Sequence, residues 1–256
     1  MAVDYSLLDS RNAGLRDRLI ASEREYVELE FTAEAPQHPW QSQLGGIPYL
    51  IDGDEYPRDP AGRSMTFLIQ LNFADLPPLA GFPDEGLLQF FIGDDDMLGC
   101  RYGDGPDQFR VVYHPSIDTD WQPRSALPPI DPYCSPLGFD DPQPRAVVGR
   151  LDRMPVSSTD SRFATLVGEY DIDTRELNDD EKSHRLGGYP HLLQADDTWD
   201  PEEMLLLQLA EAYIDVGGWA EDLLIWGDGG VAYFSITEAD LAARDFSRVR
   251  YYWAGH

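Results

Sequence analysis

The residues of this chain best equipped for specific chemistry occur in matched positions. Gln70 sits inside the apolar run Phe67-Leu68-Ile69-Gln70-Leu71, and Gln208 inside Leu205-Leu206-Leu207-Gln208-Leu209. A side-chain amide in such a run must satisfy two donors and an acceptor, so each glutamine either ties two halves of the fold together or faces a ligand. Before each run stands a Gly-Gly-x-Pro loop, Gly45-Gly46-Ile47-Pro48 and Gly187-Gly188-Tyr189-Pro190. Bare amides in such loops can receive an anion or a peptide, while the plainer role is a tight turn that lets sheets pack. His184 and His191 flank the second loop; their spacing is no recognised metal pattern, and a loop-ordering hydrogen bond is the simpler use. Trp226 and Asp228 stand beside glycines in an expected turn, where they serve either as an exposed recognition tip or as turn residues. Together with Gln89, the residues Gly45, Gly46, Gln70, His184, Gly187, Gly188, Gln208, Trp226 and Asp228 are the candidate lining of a cleft between two copies of one motif.

No catalytic signature accompanies them. Nucleophile-elbow, His-Glu-x-x-His, P-loop and Cys-x-x-Cys patterns are all missing from the sequence. Asp94-Asp95-Asp96 and Asp52-x-Asp54-Glu55 offer several oxygens to a hard cation, yet neither has the glycine and distal glutamate of an EF-hand loop, and solvated acidic turns explain them. Cys100 and Cys134 are too few for a disulfide framework and read as structural thiols in a reducing compartment. The sequence therefore assigns no catalytic residue, metal or cofactor.

The elements that must position these residues repeat. After each Gly-Gly loop and glutamine run comes a glycine-led run ending in Phe-x-Ile, Gly86–Ile92 and Gly230–Ile236, then a β-branched and aromatic run, Arg110–Tyr113 and Arg248–Tyr251. Four landmarks in one order predict an internal duplication. Leu7, Leu8, Leu15, Leu19 and Ile20 predict a helix within 6–24, and the alternation of Val27, Leu29 and Phe31 with Glu28 and Glu30 predicts a half-exposed strand. Residues 65–73, 86–92 and 109–114 read as strands. The prolines of 114–160 forbid a long helix, so 115–173 is expected to be an irregular junction carrying Trp121, Leu127, Ile130, Tyr133 and Phe139, with a short helix around 159–170.

Two readings compete at Asp200-Pro201-Glu202-Glu203. This tetrapeptide looks like a helix start, but the repeat makes Leu205–Leu209 a strand, and matched landmarks outweigh local propensity. Residues 223–226 and 231–236 read as a hairpin closed by Asp228-Gly229, Thr237 as the cap of a short helix with Asp240, and 249–253 as the closing strand. The expected fold is α+β and mainly antiparallel β, with two tandem repeats (36–114 and 174–256) related by a pseudo-twofold axis and fused with the helix and strand of 1–35 into one domain spanning 1–256.

Composition limits the partners. The chain has 256 residues with 19 basic against 47 acidic ones, a net charge of −28, which repels phosphate backbones and argues against nucleic acid or anionic membrane. The acidity is spread along the chain, as in a solvating coat; the sharper alternative is a mimic that attracts a basic protein. No apolar run approaches the roughly 20 residues of a membrane helix, and no secretory signal is visible at the amino terminus, so a cytoplasmic protein is expected.

The repeat residues also carry a likeness. Leu44-Gly45-Gly46-x-Pro48, Gln70-Leu71-Asn72-Phe73, Gly81-Phe82-Pro83-x-x-Gly86 through Ile92, His184 through Pro190 and Trp226-Gly227-Asp228-x-Gly230 resemble the YwqG-like family of bacterial proteins across about 36–253. The resemblance implies a duplicated, sheet-rich cytoplasmic fold and an immunity-like or accessory role, and it brings no activity, cofactor or catalytic residue to carry over. Gln43 departs from it by standing where a basic residue like Arg185 is expected, which weakens anion binding by the first loop. The leading expectation is a non-catalytic binding protein that meets a protein partner, a basic one in the sharper reading, through its acidic surface or the cleft between repeats; the alternative is an enzyme or small-molecule binder using that cleft.

Overall fold

The computed structural model describes residues 13–51, 55–100, 108–121, 135–137, 143–168, 170, 183–194, 199–200 and 202–255. Asp52, Asp54, Leu127, Ile130, Tyr133, Cys134 and Phe139 lie outside them, as do Leu7 and Leu8. Among the described residues the fold is mainly antiparallel β, with three short α-helices. Its strands are β1 (Arg24–Phe31), β2 (Gln43–Leu44), β3 (Thr66–Asn72), β4 (Leu87–Ile92), β5 (Phe109–His114), β6 (Arg145–Met154), β7 (His184–Gly187), β8 (Glu203–Ala210), β9 (Ala212–Val216), β10 (Trp219–Leu224), β11 (Val231–Thr237) and β12 (Arg250–Ala254); the helices are α1 (Ala13–Ser22), α2 (Ser161–Val167) and α3 (Glu238–Ala243).

Ten strands form one sheet in the order β12-β11-β8-β7-β1-β6-β2-β3-β4-β5. The middle is the long antiparallel pair β1 and β6, with Glu28 opposite Arg150 and Leu29 opposite Gly149. Outward from β6 run β2, β3, β4 and β5; outward from β1 run β7, β8, β11 and β12. The sheet curls so that its two ends face each other. Phe90 on β4 meets Phe234 on β11 with ring centroids 4.8 Å apart, and Phe109 on β5 meets Tyr251 on β12 at 5.5 Å. Tyr251 and Trp253 donate across this contact to the carbonyls of Leu98 and Met97.

The inner face of the sheet holds the main core, from Val27 and Leu29 through Ile69, Leu71, Leu88 and Phe90 to Leu207, Leu209, Phe234 and Ile236. The outer face is covered in three patches. Tyr49, Leu50, Tyr56, Phe67, Phe91 and Trp121 cluster on one wing; Leu192, Trp199, Leu205 and Tyr233 cluster on the other; α1 and α2 pack Leu15, Leu19, Phe163 and Val167 around Tyr189 between them. Every described β3, β4 and β8 residue except Met204 is buried because these strands are covered on both faces.

Several expectations hold. α1, β1, α2, the Thr237 cap of α3 and the strand at 205–209 are all present. The helix-like signal before β8 is spent as a turn, in which Asp200 accepts from the Glu202 and Glu203 amides. Burial on both sides then overrides helix propensity in the leucine-rich run. Two expectations fail. Within the segment read as irregular, Arg145–Met154 is the longest strand and sits at the centre of the sheet. Its outer half is solvated on both faces, so Arg150, Asp152 and Arg153 hide the period-two pattern, and Gly149 interrupts it. The expected hairpin of 223–226 with 231–236 does not form either. β10 pairs with β9 in a separate two-stranded ribbon, while β11 lies between β8 and β12.

Candidate functional site

A groove of about 610 Å³ crosses the middle of the sheet, lined by Glu28, Leu29 and Glu30 of β1, Val148, Gly149 and Arg150 of β6, and Ser183 and His184 at the start of β7. It lies where the two five-strand wings meet and where the covering patches leave the sheet open. Arg150 brings the positive charge and is tied on both sides, to Glu28 and, at 2.7 Å, to Asp152. Burial alone would push the Asp152 carboxyl up; the Arg153 amide and the Arg150 guanidinium outweigh it and hold it below the ordinary carboxylate range. Glu30 is exposed at the groove, and Val148 is an exposed apolar neighbour, 46% accessible.

His184 is held against Phe31, ring centroids 4.3 Å apart, and its Nδ1 accepts from the Ala210 amide at 3.2 Å. Burial, aided by the adjacent Arg185, pushes its pKa down to about 4. It is therefore a neutral imidazole at physiological pH with its proton on Nε2, a fixed donor rather than a base. Among the described residues, no three His, Cys, Asp or Glu side chains are grouped as metal ligands would be.

The matched glutamines do something other than face this groove. Gln70 Oε1 accepts from the Tyr49 amide at 3.0 Å, and its Nε2 donates to the carbonyls of Pro39 and Gln41, each at 2.8 Å. Gln208 Oε1 accepts from the His191 amide at 2.8 Å, and its Nε2 donates to the Ser183 carbonyl at 2.8 Å. Tyr49 and His191 each follow the proline of a Gly-Gly-x-Pro loop, so each glutamine pins its own loop onto the outer face of its own wing. It neither joins the wings nor looks into the space between them, which the apolar core fills. Gln89 extends the first clamp, donating to the Tyr49 carbonyl at 2.6 Å and to Gln70 Oε1 at 3.1 Å while its Oε1 accepts from His114 Nε2 at 3.0 Å.

The glycines have the conformation the loops demand. Gly45, Gly46, Gly187 and Gly188 all have φ between 62° and 77°, which any side chain would strain. A Cβ on Gly46 would stand 2.6 Å from Pro144, and one on Gly188 would stand 2.9 Å from Tyr26. At both positions the backbone packs closely against another chain segment, and Gly188 also borders a smaller cleft with Arg24, Leu79 and Phe82. Trp226 is fully buried in the main core, which corrects its reading as an exposed tip, whereas Asp228 is exposed. Of the candidates, His184 alone lines the groove; the glycines and glutamines form two loop clamps on either side of it.

Sequence reasoning missed Glu30, Glu28 and Arg150 as groove residues. The polar face of β1 was legible, but its importance depends on β6, which was not. No curated protein matches this chain. Residues 42–254 match the family described as a domain of unknown function (DUF1963), and the chain belongs to that family.

Proposed function

We propose that this protein is a non-catalytic binding protein of the bacterial cytoplasm that seats a basic partner against its acidic surface, with the groove over β1 and β6 at the centre of the contact. The observation that carries the reading is the charge state of the groove. Its guanidinium is already neutralised by Glu28 and Asp152, and Glu30 remains exposed beside apolar Val148 in a chain of net charge −28. Such a site attracts cations and rewards apolar contact. The free, buried thiol of Cys100 fits a reducing compartment.

The same reading takes the two wings as products of an internal duplication with a pseudo-twofold axis between β1 and β6, as in the YwqG-like pattern. Five polar contacts support it, because each recurs at matched positions. The Tyr49 and His191 amides donate to Gln70 and Gln208; the Gln41 and Ser183 carbonyls accept from those same glutamines. The Ile47 and Tyr189 carbonyls accept from Gln43 and Arg185; the Tyr49 and His191 carbonyls accept from Gln89 and Tyr233; the Asn72 and Ala210 amides donate to Ser42 and His184. The sheet order is consistent with it, since each wing adds its strands outward in chain order, with the leading strands β1 and β6 exchanged between wings.

The test is calorimetric titration with a panel of small basic proteins and size-matched acidic ones, comparing wild type with Glu28→Gln/Glu30→Gln. Selective binding of basic proteins, weakened roughly tenfold in the variant, is expected. Equal binding by both forms, or none by either, sinks the reading. A small molecule retained by wild type in native mass spectrometry and lost in the variant would replace it with the small-molecule alternative.

A further inference from the structure

The β9–β10 ribbon has no counterpart between β3 and β4. Among the described residues it pairs with no third strand beyond an isolated bridge of Leu224 to Leu137, and Trp219 near its tip is 78% exposed while Tyr213 is 59% exposed. Trp121, Trp199 and Trp226, by contrast, are all buried. Single exposed apolar residues are ordinary, but two large aromatics on one projecting element, one of them a tryptophan, resemble the anchors that dominate protein interfaces.

The ribbon is also built to hold its shape. At its base Leu223 and Leu224 are buried, the Ile225 amide donates to the Pro136 carbonyl at 2.7 Å, and the Glu211 amide donates to the Gly230 carbonyl at 2.9 Å. Glu211 further accepts from the Gly229 amide and from the Tyr213 hydroxyl. At the tip Gly217 and Gly218 take positive φ and have no neighbour within 4 Å of where a Cβ would stand, so the approach is open.

Register divides the two faces. Tyr213 lies opposite Asp222, and Ala220 opposite Asp215, so one face shows an aromatic ring between exposed carboxylates. Glu211, Asp222 and Asp228 are all close enough to push the Tyr213 phenol up. The other face carries Trp219 near the tip, with Glu221 opposite Ile214. A planar guanidinium is the group that both stacks on an aromatic face and neutralises a carboxylate beside it. A second copy of this chain, equally acidic, would be repelled.

We propose that the β9–β10 ribbon is a docking arm for an arginine-rich segment of a protein partner, which wraps around the ribbon with one guanidinium over Tyr213 on one face and another over Trp219 on the other, its charge balanced by Glu211, Asp215, Asp222 and Asp228 around Tyr213 and by Glu221 on the face of Trp219. This shares with the groove reading only the cationic nature of the partner; the surface is different.

The experiment titrates a short oligoarginine peptide, and an oligolysine peptide of equal length, into wild type, Tyr213→Phe, Tyr213→Ala/Trp219→Ala and Glu28→Gln/Glu30→Gln at physiological ionic strength. The double alanine variant leaves the charge unchanged and touches only exposed side chains. It is expected to lose roughly tenfold or more in oligoarginine affinity, with Tyr213→Phe close to wild type and oligolysine weaker throughout. Unaltered oligoarginine binding by the double alanine variant overturns the docking arm, as does equal affinity for the two peptides in wild type or the absence of any binding. Loss in the groove variant alone would leave the groove reading standing and the arm refuted; loss in the alanine variant alone would do the reverse.

Discussion

The two wings solve one problem with different chemistry. In each, a Gly-Gly-x-Pro loop must lie on the outer face of a buried sheet with its amides and carbonyls satisfied. The first wing uses Ser42, Gln43, Gln70, Gln89 and His114, of which Gln70, Gln89 and His114 are joined by hydrogen bonds. The second uses His184, Arg185, Gln208 and Tyr233, each reaching the loop or its neighbouring strand separately. What is common to both is therefore the set of backbone groups to be satisfied, and the glutamine is the one side chain kept in both places. The wings should differ in how much each partner matters and in how they respond to pH.

The largest difference is expected at the glutamines. Gln70→Leu keeps the volume but leaves the Tyr49 amide and the Pro39 and Gln41 carbonyls without their partner, and it strands one donor contact of Gln89. A loss of about 4 kcal/mol is expected. Gln208→Leu strips two groups, the His191 amide and the Ser183 carbonyl, and should cost about 2 kcal/mol. Urea unfolding of both variants measures the gap. Equal losses, or a larger one at Gln208, would mean that the linked amides of the first wing confer nothing beyond separate bonds.

Next in size is a pH effect from His184 in the second wing. Ser42 does not titrate, but His184 fills the matching role with a pKa near 4 against an ordinary 6.5. The unfolded chain thus takes up a proton at higher pH than the folded one. Stability from this group is complete above about pH 6.5 and is lost as the pH falls toward 4, by about 3 kcal/mol in all. His184→Asn, which keeps an acceptor and removes the titration, should flatten the decline over that interval. Parallel curves for wild type and variant would show that the imidazole is not held neutral in the fold.

How far the sequence disclosed these features depended on whether they were set locally. The loops, the glutamine strands and the Thr237 cap were legible because glycine, proline and alternating apolar residues act over a few positions. Reading Gln70 and Gln208 as polar groups needing partners was right in kind, while the partners themselves, backbone groups of loops some 20 to 30 residues away, follow only from the sheet order. β6 was hidden because a central strand with a solvated end carries arginine and aspartate where an apolar residue would have marked it. The groove depends on β6, so it was hidden too. Trp226 misled for the opposite reason: a tryptophan beside Gly227 and Asp228 looks like a turn residue, and only its packing into the main core buries it.

The smallest expected effect tests the correspondence between Gln89 and Tyr233. Tyr233 donates to the His191 carbonyl at 2.6 Å and accepts from the Leu193 amide at 3.2 Å, while its ring stacks on Tyr252 at 4.8 Å. Tyr233→Phe retains the ring and its packing, so no cavity opens, and only the hydroxyl contacts are lost. Leu193 is partly exposed and can turn to water, which leaves one buried carbonyl unsatisfied and a cost of about 1.5 kcal/mol. Hydrogen exchange offers the finer reading: the Leu193 amide should exchange faster in the variant while the His191 amide, held by Gln208, keeps its protection. If both amides loosen together, the second loop is a cooperative unit like the first and the contrast between the wings disappears; if neither changes, the phenol is not the counterpart of the Gln89 amide.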